Sequence, residues 1–490
     1  MTTSEYEVVV VGAGAAGIGA AVRLREHGFE DFVVLEKAAS VGGTWRDNTY
    51  PGCACDVPSR LYSYTFAPNS EWSRVFARQP EILAYLTDTA SRFGIMGRVR
   101  LGVEVQQARW DASAARWRLT TTSGDFTARV LIAAAGPWHT PHVPEIPGID
   151  GFDGPVFHSS RWDHDADLTG KRVAVIGSGA SAVQFVPAIA PKVAELTLFQ
   201  RTPQWVLPKP DHHVPEVERR LLRNPHALAL LRGGEYRSLE TLGFAFRHPR
   251  LQPALRAIGV ANINAAIRDR TLRRMVTPAY PVGCTRPLIS NNYYPALTRP
   301  NVRVRASGLA EVRGNTVVGA DGSTAAVDAI VFGTGFRILD MPVAERVYDA
   351  AGASLSDHWR GSPQAYLGTT VAGFPNLFLL LGPSLGTVTS AFVIIEAQLA
   401  YVMAALRHLR TSGAVSLQVR QQVQDAFNAR VQAALPKTAY SAGGCRSYYI
   451  DANGRNSFSW PWSTKRLTTL LDRFDPDDYL VNKALASVQR

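Results

Sequence analysis

The chain opens on an unbroken apolar run, EVVVVGAGAAG, in which four valines lead into Gly12, Gly14 and Gly17. An apolar run of this kind closed by glycine is the pattern of a strand buried on both faces. AAVRLREHG follows with helix-like spacing, and FVVLE is a second buried strand that ends on Glu36. The succession returns as KRVAVIGSGASA, a helix-like stretch and the strand ELTLFQRT. Two further strands, VLIAAAGPW (Val130 to Trp138) and VDAIVFGTGF (Val327 to Phe336), end in small residues and bracket this second unit. Such ends let a chain cross near a bound group or pass between domains. Residues 206–277 are Arg-, Leu- and Ala-rich, with helical spacing in VERRLLRNPHALALLR and NINAAIRDRTLRRMV. Near the C-terminus, FPNLFLLLGPSLGTVTSAFVIIEAQLAYVMAALRHL reads as a buried strand, a turn and a long helix that Thr387, Thr389 or Ser390 would cap.

Two strand–turn–helix–strand units predict an α/β protein with two Rossmann-like dinucleotide-binding domains, the second inserted into the first, plus a helical insertion. In the first turn Gly12 allows the tight bend, Gly14 lets backbone approach a pyrophosphate and Gly17 lets helix pack on strand. Glu36 stands nineteen residues after Gly17, where a carboxylate can accept from both ribose hydroxyls. The second turn has Gly177, Gly179, Ser181 and Ala182, and nineteen residues after Ala182 come Arg201 and Thr202. A cation and a hydroxyl there welcome a 2′-phosphate, which a carboxylate would repel. The first site therefore reads as FAD and the second as NADPH. The expected divisions are 1–141 and 338–490 for the FAD-binding domain, 142–205 and 278–337 for the linker and NADP-binding domain, and 206–277 for the helical insertion.

With 490 residues, 46% of them apolar, the chain can fill two or three cores. The formal charge of +11 is dispersed, so nucleic acid is not expected as a partner. Four cysteines, Cys53, Cys55, Cys284 and Cys445, are too scattered for a disulfide framework or a four-ligand zinc site, and no metal is expected. The longest apolar run, near Ala391 to Leu406, is interrupted by Glu396 and Gln398, which suits a buried or amphipathic helix better than a lipid-facing one. These features, with no leader-like N-terminus, point to a soluble cytoplasmic protein. Oligomeric state is not legible.

The segment GGTWRDNTYPGCACD narrows the chemistry. Flavin disulfide reductases place the first cysteine of a redox pair just after the GGT-like element, where this chain has Trp45. Gly42, Gly43, Thr44 and Trp45, then Tyr50-Pro51-Gly52 and Asp56, resemble instead a fingerprint of type I Baeyer–Villiger monooxygenases. FDGPVFHSSRWD supplies a second one, with Phe152, Gly154, His158, Trp162 and Asp163 at every specified position. CTRPLISNNYYPALTRPNVRV resembles the family segment that carries its active-site arginine, here Arg286.

The resemblance implies that NADPH reduces FAD, that the reduced flavin traps dioxygen at C4a, and that the resulting C4a-peroxyflavin attacks a ketone to give an ester or lactone. It also implies that Arg286 shelters the negative charges, that Asp56 lies beside it, and that His158 and Trp162 couple the domains. Gly43, Thr44, Trp45 and Gly382 join the cofactor-binding set. Two positions depart from the family: Thr285 stands where a lysine often helps hold the 2′-phosphate, and Tyr448 where CRSYYIDANGRNSFSWPW would carry a tryptophan. An N- or S-oxygenating flavin monooxygenase, and an NADPH:acceptor reductase or oxidase, share these cofactors and stay open at this point.

Overall fold

In the computed structural model, residues 3–441 and 447–483 are described. The first apolar run forms β1 (Ser4–Val11), followed by helix α1 (Ala15–Glu26) and β2 (Phe32–Glu36). Next come the short helix α2 (Thr44–Asp47), helix α3 (Gln79–Arg92), and strands β3 (Val99–Leu101), β4 (Val105–Asp111), β5 (Arg116–Thr121) and β6 (Gly124–Ala133). β1 lies between β2 and β6, parallel to both, and β3 continues the parallel order beyond β2. The antiparallel meander β4–β5–β6 extends the other side, ending on Val347–Tyr348 (β17), and Leu377–Leu379 (β18) pairs parallel with the far half of β6. Valines at alternate positions of β1 join different cores: Val8 and Val10 pack with the helices, Val9 with Leu35, Trp117 and Leu131. Both faces are thus buried, as an all-apolar strand requires.

A second parallel sheet repeats the plan. Its order is β12 (Val302–Arg305), β9 (Glu195–Phe199), β8 (Arg172–Ile176), β16 (Ala329–Phe332) and β7 (Val156–His158). Helix α4 (Ala180–Ile189) covers one face through Ala182, Val183, Phe185 and Val186. On the other face Val312 and Val317, from the meander of β13 (Leu309–Arg313), β14 (Thr316–Gly319) and β15 (Thr324–Ala326), pack with Phe152, Phe199 and Phe332. The stretch FDGPVFHSSRWD, read from sequence as a connector, thus supplies an edge strand, with Val156, Phe157 and His158 opposite Ile330, Val331 and Phe332.

The helical insertion is broken where capping residues fall. VERRLLRNPHALALLR splits into α5 (Glu216–Leu222) and α6 (Pro225–Arg247), because the Asn224 side chain accepts from the N–H groups of His226 and Ala227. Helices α7 (Gln252–Ala266) and α8 (Arg270–Val276) part before Asp269, whose carboxylate accepts from Leu272 N–H at 2.6 Å. The short pair β10 (Val206–Leu207) and β11 (Leu288–Ile289) closes the base of this insertion, and α9 (Tyr293–Leu297) packs on α4.

After β17 and α10 (Leu355–Trp359) the chain returns to the first sheet and enters α11 (Ala391–Thr411), which Ser390 caps by accepting from Phe392 N–H. Helix α11 is long and apolar enough to cross a membrane, yet 61% of its apolar window is buried inside the protein. Its polar interruptions are satisfied there. Gln398, fully buried, donates to Gly368 O, Thr369 Oγ1 and Leu379 O and accepts from Leu381 N–H. Glu396 accepts from the backbone and hydroxyl of Thr65.

Candidate active site

Both glycine turns are built to meet an anion. Gly12 holds φ +101, and a Cβ there would fall 2.7 Å from Ala134 O; one on Gly17 would fall 1.8 Å from Gly12 O. Only glycine allows that helix to approach that strand. Helix α1 starts at Gly14 with no side-chain cap and no acidic residue in its first turn, so its first N–H groups and its positive dipole end remain free. The Gly42–Gly43 loop crosses in front, where a Cβ on Gly43 would lie 2.8 Å from Gly14 Cα. Helix α4 is likewise uncapped at Gly179, and Gly177 also holds φ +101. Ser181, in its first turn, is bonded to Ser159 Oγ at 3.0 Å. These surroundings fit two dinucleotides, one phosphate group over each helix start.

The acceptors behind the turns differ. Glu36 is buried, its Oε2 taking Ala13 N–H at 2.8 Å and its Oε1 taking Ala38 N–H at 2.9 Å, with Arg46 Nη1 at 3.2 Å. Arg201 and Thr202 stand exposed. Thr285 turns inward, donating to Gln204 Oε1 at 3.0 Å beside the Tyr280 hydroxyl.

Asp56 and Arg286 meet across 230 residues of chain. Arg286 Nε donates to Asp56 Oδ2 at 2.9 Å and Nη2 to Oδ1 at 3.3 Å, a two-pronged pair in which each side chain stays 35% exposed. The carboxylate raises the guanidinium's pKa further above its ordinary value, against the opposing effect of burial. Among the described residues Nη1 has no hydrogen-bond partner. Pairing of β11 with β10 sets Arg286, since Leu288 N–H donates to Trp205 O at 2.8 Å. The Asp56 loop is set by Cys55 N–H on Ala77 O and by Lys209, whose ammonium donates to Cys55 O at 3.2 Å. Burial lowers the Lys209 pKa. Lys209 carried no signal in the sequence; only its place beside the Asp56 loop marks it.

Trp45 is buried, donating from Nε1 to Tyr62 Oη at 3.1 Å, and Thr44 opens α2 beside it. Cys53 and Cys55 are buried free thiols, and burial pushes Cys53 up to about 11 and Cys55 higher still, which leaves neither as a ready thiolate. Gly382 crosses close to Gly368, whose carbonyl oxygen a Cβ would approach to 2.3 Å. Leu381 and Ser384 on either side hold left-handed backbone, at φ 55 and 60. Tyr449 is buried and Tyr448 52% exposed, and Tyr449 stacks on Phe458 at 4.9 Å. Cys445 of the same segment lies outside the described residues.

The linker fingerprint lies along and around β7. A Cβ on Gly154 would fall 2.2 Å from Asp328 O, and Phe152 packs in the second core. His158 is buried, its Nδ1 accepting from Ser160 N–H at 3.1 Å, and burial lowers its pKa to about 4. Trp162 packs on Phe157 and on Phe185 of α4, at 5.1 and 5.4 Å. Asp163 closes a turn by accepting from Asp165 and Ala166 N–H groups.

A family model described as pyridine nucleotide-disulphide oxidoreductase matches residues 9–228. A Baeyer-Villiger monooxygenase of Streptomyces coelicolor is 50% identical over 479 residues, covering 97% of this chain and 92% of that one. Among solved structures, cyclohexanone monooxygenase from Rhodococcus sp. Phi1 bound to NADP+ superposes with TM-score 0.87 at 26% identity, over 99% of this chain and 100% of that one. OTEMO in complex with FAD and NADP gives TM-score 0.88 at 26% identity, over 98% and 100%.

Proposed function

The chain belongs to the Baeyer–Villiger monooxygenase family, and from that premise we propose that Arg286, set by Asp56, is the group that makes it insert oxygen beside a ketone carbonyl. When bound, FAD would supply the redox chemistry, accepting hydride from NADPH and delivering oxygen from dioxygen to the ketone. The protein's own part is binding, orientation and charge. Gly12, Gly14 and Gly17 admit the pyrophosphate to the start of α1, with Gly43, Thr44, Trp45 and Gly382 lining its approach. Gly177, Gly179 and Ser181 do the same for the nicotinamide dinucleotide at α4, and Arg201 with Thr202 meets its 2′-phosphate. In this reading residues 1–141 and 338–490 serve FAD, and 142–205 with 278–337 serve NADP.

The observation that carries the proposal is the two-pronged Asp56–Arg286 pair. A guanidinium never deprotonates at working pH, so it can face negative charge throughout the reaction. Asp56 occupies Nε and Nη2 and fixes the plane of the group; the remaining donor, Nη1, is the one offered to charge that develops on the ketone oxygen. A preorganised donor of this kind is worth about a hundredfold or more in rate. Arg286→Ala is therefore expected to keep reduction of bound flavin by NADPH near its original rate and to lose ester or lactone formation by about that factor. The measurement is anaerobic reduction followed by product analysis with cyclic, linear and aryl ketones and a thioether. Ester formed by Arg286→Ala at the original rate would remove the assignment.

A further inference from the structure

The loop that carries Asp56 is also held against helix α4 of the second dinucleotide unit through the side chain of Gln184. Gln184 lies in the second turn of α4, and its amide meets the loop as a neighbouring strand would. Oε1 accepts from Ala54 N–H at 3.2 Å while Nε2 donates to Ala54 O at 2.9 Å. The Tyr50 hydroxyl donates to the same Oε1 at 3.0 Å. Backbone closes in as well: Gly52 holds φ +83, and a Cβ there would fall 2.7 Å from Gln184 O. Phe185, the next residue of α4, touches Tyr50 of the loop on one side and Trp162 of the linker on the other, at 6.2 and 5.4 Å.

From these contacts we infer that Gln184 is a positioning residue for the reaction: it makes the placement of Asp56 answer to occupation of the nicotinamide dinucleotide site. Three steps connect the two. The free N–H groups at the start of α4 receive the dinucleotide phosphates, and Gln184 lies on the same rigid helix. Its amide holds Ala54, two residues before Asp56, and Asp56 fixes the fork of Arg286. The helix does not need Gln184 to stay in its sheet, because Ala182, Val183, Phe185 and Val186 are fully buried against the core. The amide is therefore free to serve the loop. Displacements of about 1 Å at a reacting group commonly cost a hundredfold in rate, so a partial loosening of this tether is expected to cost roughly tenfold.

This inference rests on the proposed function, and its test keeps the two apart. In the holoenzyme, amide hydrogen exchange of residues 53–57 is expected to slow on saturation with NADP+. In Gln184→Met, which keeps the side-chain length and removes its polar atoms, that response should vanish. Ester formed per NADPH oxidised should fall roughly tenfold in the same variant, with flavin reduction within about twofold of the original. Tyr50→Phe removes one of the three bonds and should give an intermediate loss; it carries the test if Gln184→Met fails to fold. Unchanged exchange response and unchanged ester yield in the variant that folds overturn the positioning role. An exchange response that depends on Gln184, in a protein that oxidises no ketone, would overturn the functional reading and leave the tether standing.

Discussion

Gly12 and Gly177 share φ +101, and each lies against a carbonyl oxygen, of Ala134 or Gly333, that a Cβ would approach to 2.7 or 2.6 Å. Each is followed by a helix without a cap. The surroundings then diverge. Glu36 is 5% exposed and engaged by two backbone N–H groups and Arg46, whereas Arg201 and Thr202 stand in solvent. The first helix meets its strand through Gly17, the second through Ala182. A shared backbone device thus serves a site walled by protein and a site left open. The first arrangement suits a group kept through many turnovers, and the second suits one that leaves after each cycle.

The most severe way to break this contrast is at the third glycine. A methyl at Gly17 would fall 1.8 Å from the Gly12 carbonyl oxygen, so Gly17→Ala is expected to yield protein with no bound flavin, read from the visible absorbance of the purified chain. Ala182→Gly, the reverse exchange in the second unit, should keep full flavin content. A smaller effect falls on the open site. Arg201→Glu should raise the KM for NADPH by roughly ten- to a hundredfold, the value of charge-assisted hydrogen bonds, and leave flavin content unchanged. Equal loss of flavin would show that the two sites are not independent.

Acid gives the mildest test. His158 titrates at about 4 in the fold against 6.5 in the unfolded chain, because burial disfavours its charged form. A base with a depressed folded value contributes its full stability above the unfolded value, and loses it as pH falls towards the folded one. Melting temperature should therefore drop between about pH 6.5 and pH 5, and His158→Asn should flatten that part of the profile. A mutant that keeps the same acid slope would assign the loss to other groups.

What the sequence disclosed was mostly local. The places of Glu36 at the end of β2 and of Arg201 just past β9 were legible because strand, turn and helix fix their distance from the glycines. The interrupted run around Glu396 and Gln398 reads correctly as a buried helix, since a long apolar element with polar positions needs internal partners. Asp56 and Arg286 are another matter: 230 residues separate them, and only the family resemblance joined them before the fold did. Lys209 and Gln184 carried no signal, because each acts through contact with a loop remote in sequence. The strand at Val156–His158 was hidden for a related reason. It is three residues long and its ladder partner, Ala329–Phe332, comes some 170 residues later.

That late partner also fixes how the protein can be recombined. A chimera joined at Lys171, just before the second glycine turn, would leave Ala329–Phe332 with a foreign or absent neighbour and a bare sheet edge, an invitation to aggregate. A transplant that starts ahead of Phe152 brings its own hem with it. Exchange of nucleotide preference between relatives should therefore succeed or fail at that seam before any contact to the nucleotide is considered.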